Sequence, residues 1–443
     1  MKQFIDTIRN IFSIQELKER ILYTFLFLAV FRLGSYVVLP AVNPAMLDSS
    51  ESSGILGLLD TFLGGAFSNA SVFGLGIMPY ISASIILQLL VVAVPFFQKL
   101  SKEGESGRKK INQYTRVLTI AVTLAQSIGY LAGTIAPEAI RPEFAGSAFY
   151  LTSVPLIIAG TMFCMWLGEK ITEKGIGNGI SMIIMIGIIS RLPSAIIKEF
   201  ASREMSGVIW TFLELIALFA VVVFVVAITQ ATRRIPIEYA RQMVGNRVVR
   251  GQRQFLPLKF NSAGVMPIIF AQALMFLPSL FATAFRDKLE IADTIGSTFS
   301  DVTSWQYNLV NAILIVVFTY FYTAIAVNPQ QISEDLRRNN GYIPGVQPGE
   351  ATTEYISTII DRITLPGALF LAAIAIMPAI ARTFNINQEL AYFFGGTSLL
   401  IMVGVILDTL QQIESYLLMQ QYEGMMKTDK FSGTTEAMAT TTI

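Results

Sequence analysis

Ten apolar runs, each close to the length that crosses a lipid bilayer, constrain this chain more than any other feature. They lie at residues 21–39, 74–94, 117–136, 149–168, 179–196, 208–228, 262–283, 308–327, 366–381 and 392–412. A hydrocarbon core of about 30 Å takes about 20 helical residues, each adding about 1.5 Å. Lipid offers backbone N–H and C=O groups no partner, so such runs must be helical. Composition agrees: 53% of the residues are hydrophobic and only 14% charged, against about 25% charged in soluble domains. The sequence predicts an all-α integral membrane protein. Its first apolar run is too long for a cleavable signal peptide and lacks a small-residue cleavage site.

Orientation follows from Lys and Arg, which concentrate in cytoplasmic loops. With the N-terminus in the cytoplasm, cytoplasmic segments hold 24 of these residues and external segments 7. Both termini are therefore expected in the cytoplasm. The spans divide into two sets of five, separated by an external loop at 191–207. An odd number per set makes the sets run in opposite directions. This permits, without showing, an inverted repeat with a pathway between two halves, residues 1–207 and 208–443. The tail from Thr428 is polar and of low complexity, so disorder is expected there.

Two cytoplasmic loops exceed by far the few residues usual between helices. Residues 229–261 carry Arg233, Arg234, Arg241, Arg247, Arg250, Arg253 and Lys259 against one acid, Glu238. Residues 328–365 carry Arg337 and Arg338. The positive-inside rule explains the charge but not the length. Long loops on one face suggest a docking platform.

The stretch from Gly54 to Leu90 is unlike an ordinary span. Ile55, Leu58, Leu59, Phe62 and Leu63 recur at helical spacing, with Asp60 off that face and expected toward water. Gly64 and Gly65 then break the helix. A half-helix of about ten residues reaches about 15 Å, half a bilayer. Two readings stand: a pore element folded into a cavity beside a wall helix, or an external loop with an interfacial helix.

Several function classes lack their residues. There is no histidine, which removes His metal sites and Ser-His triads, and one cysteine, Cys164, which removes internal disulfides. Gly175, Gly177 and Gly179 lack the lysine and spacing of a phosphate loop and read as a tight turn. No cofactor is implied. Within the spans, with Arg191 counted in the external loop, the charged residues are Arg32, Glu214 and Asp408, with no carboxylate cluster to couple ions; Arg32 is deep enough to bond backbone carbonyls. A secondary transporter for a small solute is the alternative reading, but it needs a polar midplane site. Ser82, Ser84, Gln88, Asn178, Gln272, Thr397 and Ser398 are polar without charge. For the hydroxyls, helix packing is the ordinary explanation; Gln88 and Gln272 fit a cavity or a helix seam better.

Six segments carry a resemblance: GIMPYISASIILQLL, KEGESGRKKINQYTR, MWLGEKITEKGIGNGIS, LPLKFNSAGVMPIIFA, FYTAIAVNP and FGGTSLLIMVGVILD. In this order they resemble the SecY family of channel subunits of the bacterial Sec protein translocon, over about residues 17 to 426. The resemblance implies a protein-conducting channel in the bacterial cytoplasmic membrane, not an enzyme. Ten transmembrane helices would form two five-helix halves hinged between spans five and six, with residues 55–66 as a re-entrant plug. It implies a pore ring of Ile77, Ile81, Ile180, Ile184, Ile269 and Ile401. A lateral gate opening to lipid would carry Ser82, Gln88, Asn178 and Gln272. The loops at 229–261 and 328–365 would dock the SecA motor and the ribosome; SecE and SecG subunits, signal peptides and nascent chains are the other implied partners. At Gln347 the family usually has Arg, so a motor contact through that side chain is not carried over, although Arg337 and Arg338 stand nearby.

Overall fold

The computed structural model describes residues 14–47, 55–144, 146–202, 208–239, 242–244, 247–249, 253–285, 304–384 and 386–432. It is mostly helical. In chain order the elements are α1 Gln15–Gly34, α2 Ile55–Phe62, α3 Met78–Ala93, α4 Pro95–Lys102, α5 Glu105–Thr134, α6 Ser147–Lys174, α7 Gly179–Ser202 and α8 Val208–Thr229. Strands β1 Thr232–Tyr239, β2 Gln242–Val244, β3 Arg247–Val249 and β4 Arg253–Lys259 follow. Then come α9 Met266–Phe285, α10 Trp305–Ala326, α11 Pro329–Arg338, β5 Gly341–Tyr342, α12 Glu350–Thr383, α13 Gln388–Ala391 and α14 Gly396–Ser432.

Among the described residues, seven helices are long and apolar enough to cross a membrane: α5, α6, α7, α8, α10, α12 and α14. The count becomes eight if α3 and α4, bent by 97°, form one span. Proline sets that bend: Val94 is extended, as the residue before a proline prefers, and Pro95 restarts the helix at its first turn. Helix α1 carries Glu16, Lys18, Glu19, Arg20 and Arg32, which keep it out of the most apolar class.

Packing sorts the long helices into two groups. Helices α1, α3, α5, α6 and α7 contact one another, as do α8, α9, α10, α12 and α14. The groups meet along two seams. At one, α7 lies on α14; at the other, α3 and α5 lie on α9. The first seam is bonded near both ends. Lys198 pairs with Glu389 at 2.6 Å and the Asn387 N–H donates to Glu199 at 2.9 Å. At the opposite end the Gly177 N–H donates to Gln412 at 2.8 Å and Arg20 lies over the Tyr416 ring. Among the described residues, no hydrogen bond joins α3 or α5 to α9.

Three expectations are corrected. The protein is not all-α, because the two long loops fold together. Strand β1 pairs antiparallel with β4, from Thr232 opposite Lys259 to Glu238 opposite Arg253, and β5 joins its end at Glu238 and Tyr239. Ile235 and Ile237 alternate inward, while Arg234 and Pro236 face out. They close a separate core with Leu258, Leu336, Ile343 and Ile356. Helix α11 starts where Asn328 accepts hydrogen bonds from the Gln330 and Gln331 N–H groups, with Pro329 in its first turn. Secondly, Arg191 is not in an external loop: α7 continues through Pro193 to Ser202. Thirdly, α14 runs past Thr428 to Ser432; the tail beyond lies outside the described residues.

Candidate functional site

Five helices and the end of a sixth converge on one small cavity. Ile77 and Ile81 reach it from the start of α3, Ile184 from α7, Ile269 from α9 and Ile401 from α14. All five are buried. Phe31 of α1, Phe62 at the end of α2, Leu63, Met78 and Ile183 complete the apolar wall. Gln272 and Thr397 are its polar members. The space is about 30 Å³, room for two or three waters at about 10–15 Å³ each. A lining of this kind gives water few hydrogen bonds, so it favours the dry state. The expected sixth member, Ile180, is not among the lining residues. It lies on α6 instead, its Cγ1 3.0 Å from where a Cβ on Gly168 would stand. Ile180 is one turn before Ile184, and that turn faces the neighbouring helix.

A second cavity, about 680 Å³, lies across residues 57–65 from the first. Phe62 and Leu63 line the small apolar one, whereas Gly57, Asp60, Thr61, Gly64 and Gly65 line the large one. Arg32, Arg191, Lys198 and Glu389 also face the large cavity. The segment is a partition between a dry and a polar space. Two glycines at positive φ, +63° at Gly64 and +95° at Gly65, turn the chain back after α2. Gly187 of α7 lets the segment in: a Cβ there would collide with the Phe62 carbonyl oxygen. Tyr130 of α5 donates to the Phe67 carbonyl at 2.7 Å, closing the far side of the turn.

Asp60 borders the large cavity but is not open to water as expected. It is 7% exposed. Its carboxylate accepts the Ser68 N–H at 2.9 Å, the Ser68 hydroxyl at 3.1 Å and an Arg191 guanidinium N–H. A carboxylate leaves water only when it is paired and hydrogen-bonded, and α7 supplies the charge. Arg32 bonds backbone as expected, donating to the Gly64 carbonyl and, at 2.7 Å, to the Tyr36 hydroxyl. Arg191 is the partner of Asp60 that sequence reading missed. Its signal was a base in an apolar run, with an unmatched acid in another. The side chains of Ile55, Leu58 and Leu59 lie outside the described residues.

The other expected side chains are spread out. Gln272 is buried in α9 and its amide donates to the Tyr307 hydroxyl at 3.3 Å. Ser82 donates to the Met78 carbonyl and Gln88 to the Ser84 hydroxyl, both within α3. Asn178 is exposed; its side-chain oxygen accepts the Ile180 and Ser181 N–H groups and caps the start of α7. Arg233, Arg234, Arg337 and Arg338 are exposed on the sheet and α11. Arg241 and Arg250 lie outside the described residues, as do the side chains of Arg247 and Arg253. Gln347 is exposed, and its carbonyl accepts the Thr352 hydroxyl at 2.7 Å.

The sequence model of the SecY family matches residues 71–410. The chain belongs to the SecY family. It is 43% identical over 432 residues to the protein translocase subunit SecY of Halalkalibacterium halodurans, covering 95% of this chain and 99% of that one. To the SecY of Escherichia coli K12 it is 40% identical over 443 residues, covering 94% and 96%. Solved structures share the fold at lower identity. One, described as the structure of a protein conducting channel, matches with a TM-score of 0.62 at 18% identity, over 90% of this chain and 92% of that one. Sec61 in the canine ribosome-channel complex matches with a TM-score of 0.59 at 17% identity, with the same coverage. The SecY fold accounts for the mostly helical chain and its membrane-length helices.

Proposed function

We propose that the isoleucine-lined cavity is the closed constriction of a protein-conducting channel, and that residues 55–66 are the plug on its outer side. As a SecY-family subunit the chain conducts unfolded polypeptides across the membrane and releases apolar segments into lipid; it is not an enzyme. The observation that carries the reading is the convergence of Ile77, Ile81, Ile184, Ile269 and Ile401 on one apolar space. Aliphatic side chains can close on one another when the pore is empty and deform around a passing chain without bonding it. A small-solute transporter needs a specific polar midplane site, and among the described residues lining this cavity only Gln272 and Thr397 are polar.

In this reading the ten spans are α1, α3, α5, α6 and α7 in residues 1–207, and α8, α9, α10, α12 and α14 in 208–443, as an inverted pair. The two packing groups support it. The seam of α3 and α5 on α9, without hydrogen bonds among the described side chains, suits a gate that opens to lipid; the seam of α7 on α14, bonded near both ends, suits a hinge. Both termini lie in the cytoplasm and the membrane is the bacterial inner membrane, supported by the 24 to 7 distribution of Lys and Arg. The β1–β4–β5 sheet with α11 is the cytoplasmic docking surface for SecA and the ribosome, and SecE and SecG complete the complex. Solved relatives described as ribosome-bound channels support the ribosome as a partner.

The test places a photo-crosslinking residue at Ile184 or Ile401 and arrests a secretory chain in transit. Crosslinks to the cargo at both positions, absent without cargo, are expected. Crosslinks absent there but present at the exposed Phe219 of α8 would overturn the reading.

A further inference from the structure

We propose that Arg191 is a positioning residue that latches the plug closed through its ion pair with Asp60; this rests on the plug reading above. Asp60 sits in an eight-residue helix followed at once by a glycine turn. Such a helix is too short to hold itself in place. Its carboxylate is buried, yet two of its three hydrogen-bond donors come from Ser68, eight residues on in the same folded turn. Those two bonds travel with the plug if it moves. The third comes from Arg191 on α7, 131 residues away, which also donates to the Ser68 hydroxyl at 3.2 Å. Of the bonds that hold the Asp60 carboxylate, only the one from Arg191 must break when the plug leaves α7.

The surroundings make the pair exclusive and reversible. The other acid lining the 680 Å³ cavity, Glu389, is paired with Lys198 at 2.6 Å. Arg32 holds the next turn by the Gly64 carbonyl, and its guanidinium lies 4.8 Å from the Tyr36 ring centre. Asp60 is 9% exposed in its side chain but Arg191 27%. Arg191 therefore already borders water, and both charges rehydrate once separated. That places the latch between an exposed pair, worth little, and a sealed one, costly to break. It is strong enough to bias a resting plug and weak enough for an entering chain to displace.

The alternative is that Asp60 only folds its own turn, in which case Arg191 is dispensable. The experiment measures resting conductance of the complete complex in planar bilayers, without cargo, for Arg191→Met, Asp60→Asn, their combination, the exchange Asp60→Arg with Arg191→Asp, and a deletion of residues 55–66. Each single variant is expected to raise open probability roughly tenfold, as about 1.4 kcal/mol of lost closure would. The combination should add little to the larger single effect, because both remove one interaction, and the exchange should recover part of the seal. Arg191→Gln serves where Arg191→Met fails to accumulate in membranes, with the same outcomes. If the deletion leaks and the Arg191 variants do not, the latch is wrong and the plug stands. If the deletion is also silent, the plug reading fails and the latch with it.

Discussion

Gly187 offers the sharpest handle on the closed state. It lies in α7 directly under the end of α2, the plug helix we propose. In Gly187→Ala the new methyl would meet the Phe62 carbonyl oxygen head-on, with the Phe62 carbonyl carbon at 3.1 Å and the Gly64 nitrogen at 3.3 Å. Both neighbours are backbone and cannot rotate away, so the plug must retreat by roughly 1 Å to regain ordinary contact. Overpacking of this kind costs about 1–3 kcal/mol. Alanine also improves α7 by up to about 1 kcal/mol over glycine, but that gain is the same with the plug in or out. Only the clash distinguishes the two states. The closed-to-open ratio should therefore fall by about fivefold to more than a hundredfold. Single-channel recording of the resting complex reads this directly, with the plug-deleted channel as the upper limit. Gly187→Val should leak more than Gly187→Ala. Resting conductance at the wild-type level in both variants, each inserted normally, would refute the close approach of plug and α7.

Three further outcomes are expected. Ile81→Asn or Ile401→Asn should wet the constriction and raise resting ion conductance, whereas Ile180→Asn, outside the cavity lining, should do so far less; equal leaks from all three would restore Ile180 to the ring. Replacing Arg233 and Arg234 with Glu should weaken binding of a cytoplasmic partner, and raised salt should weaken the wild-type contact over the same range, read by co-sedimentation of the motor or ribosome with channel-bearing vesicles. Glu199→Ala should leave the half-buried Asn387 N–H without its 2.9 Å acceptor, costing up to about 1–3 kcal/mol, visible as a lower thermal transition of the purified protein in detergent; an unchanged transition would mean that the contact of α7 with the segment before α14 does not rely on this bond.

Much of the fold was legible because lipid enforces local rules. A backbone that finds no partner in the bilayer must bond within its own segment, so α5, α6, α7, α8, α10, α12 and α14 could be read from apolar length alone. The kink at Pro95 and the turn at Gly64 and Gly65 were likewise written in single residues. The isoleucines were visible as types at helical spacing, but which of them share a space was not. Ile180 and Ile184 look alike in the chain, and only the packing of α6 on α7 sends one to a helix contact and the other to the cavity. The sheet had a signal, the alternation through Arg234, Ile235, Pro236 and Ile237, that was hidden by the count of basic residues around it. Its partner strand at Gly341 and Tyr342 is too short to announce itself.

Lipid and charge, acting residue by residue, let the sequence alone determine a multi-span helical chain with its basic loops gathered on one side. Tertiary structure decided the rest: that two distant loops share one core, that α7 reaches far enough to present Arg191, and that Asp60 turns from water toward it. These depend on side chains far apart in sequence. Their pairing is set by desolvation and close packing between elements, and no local pattern records it.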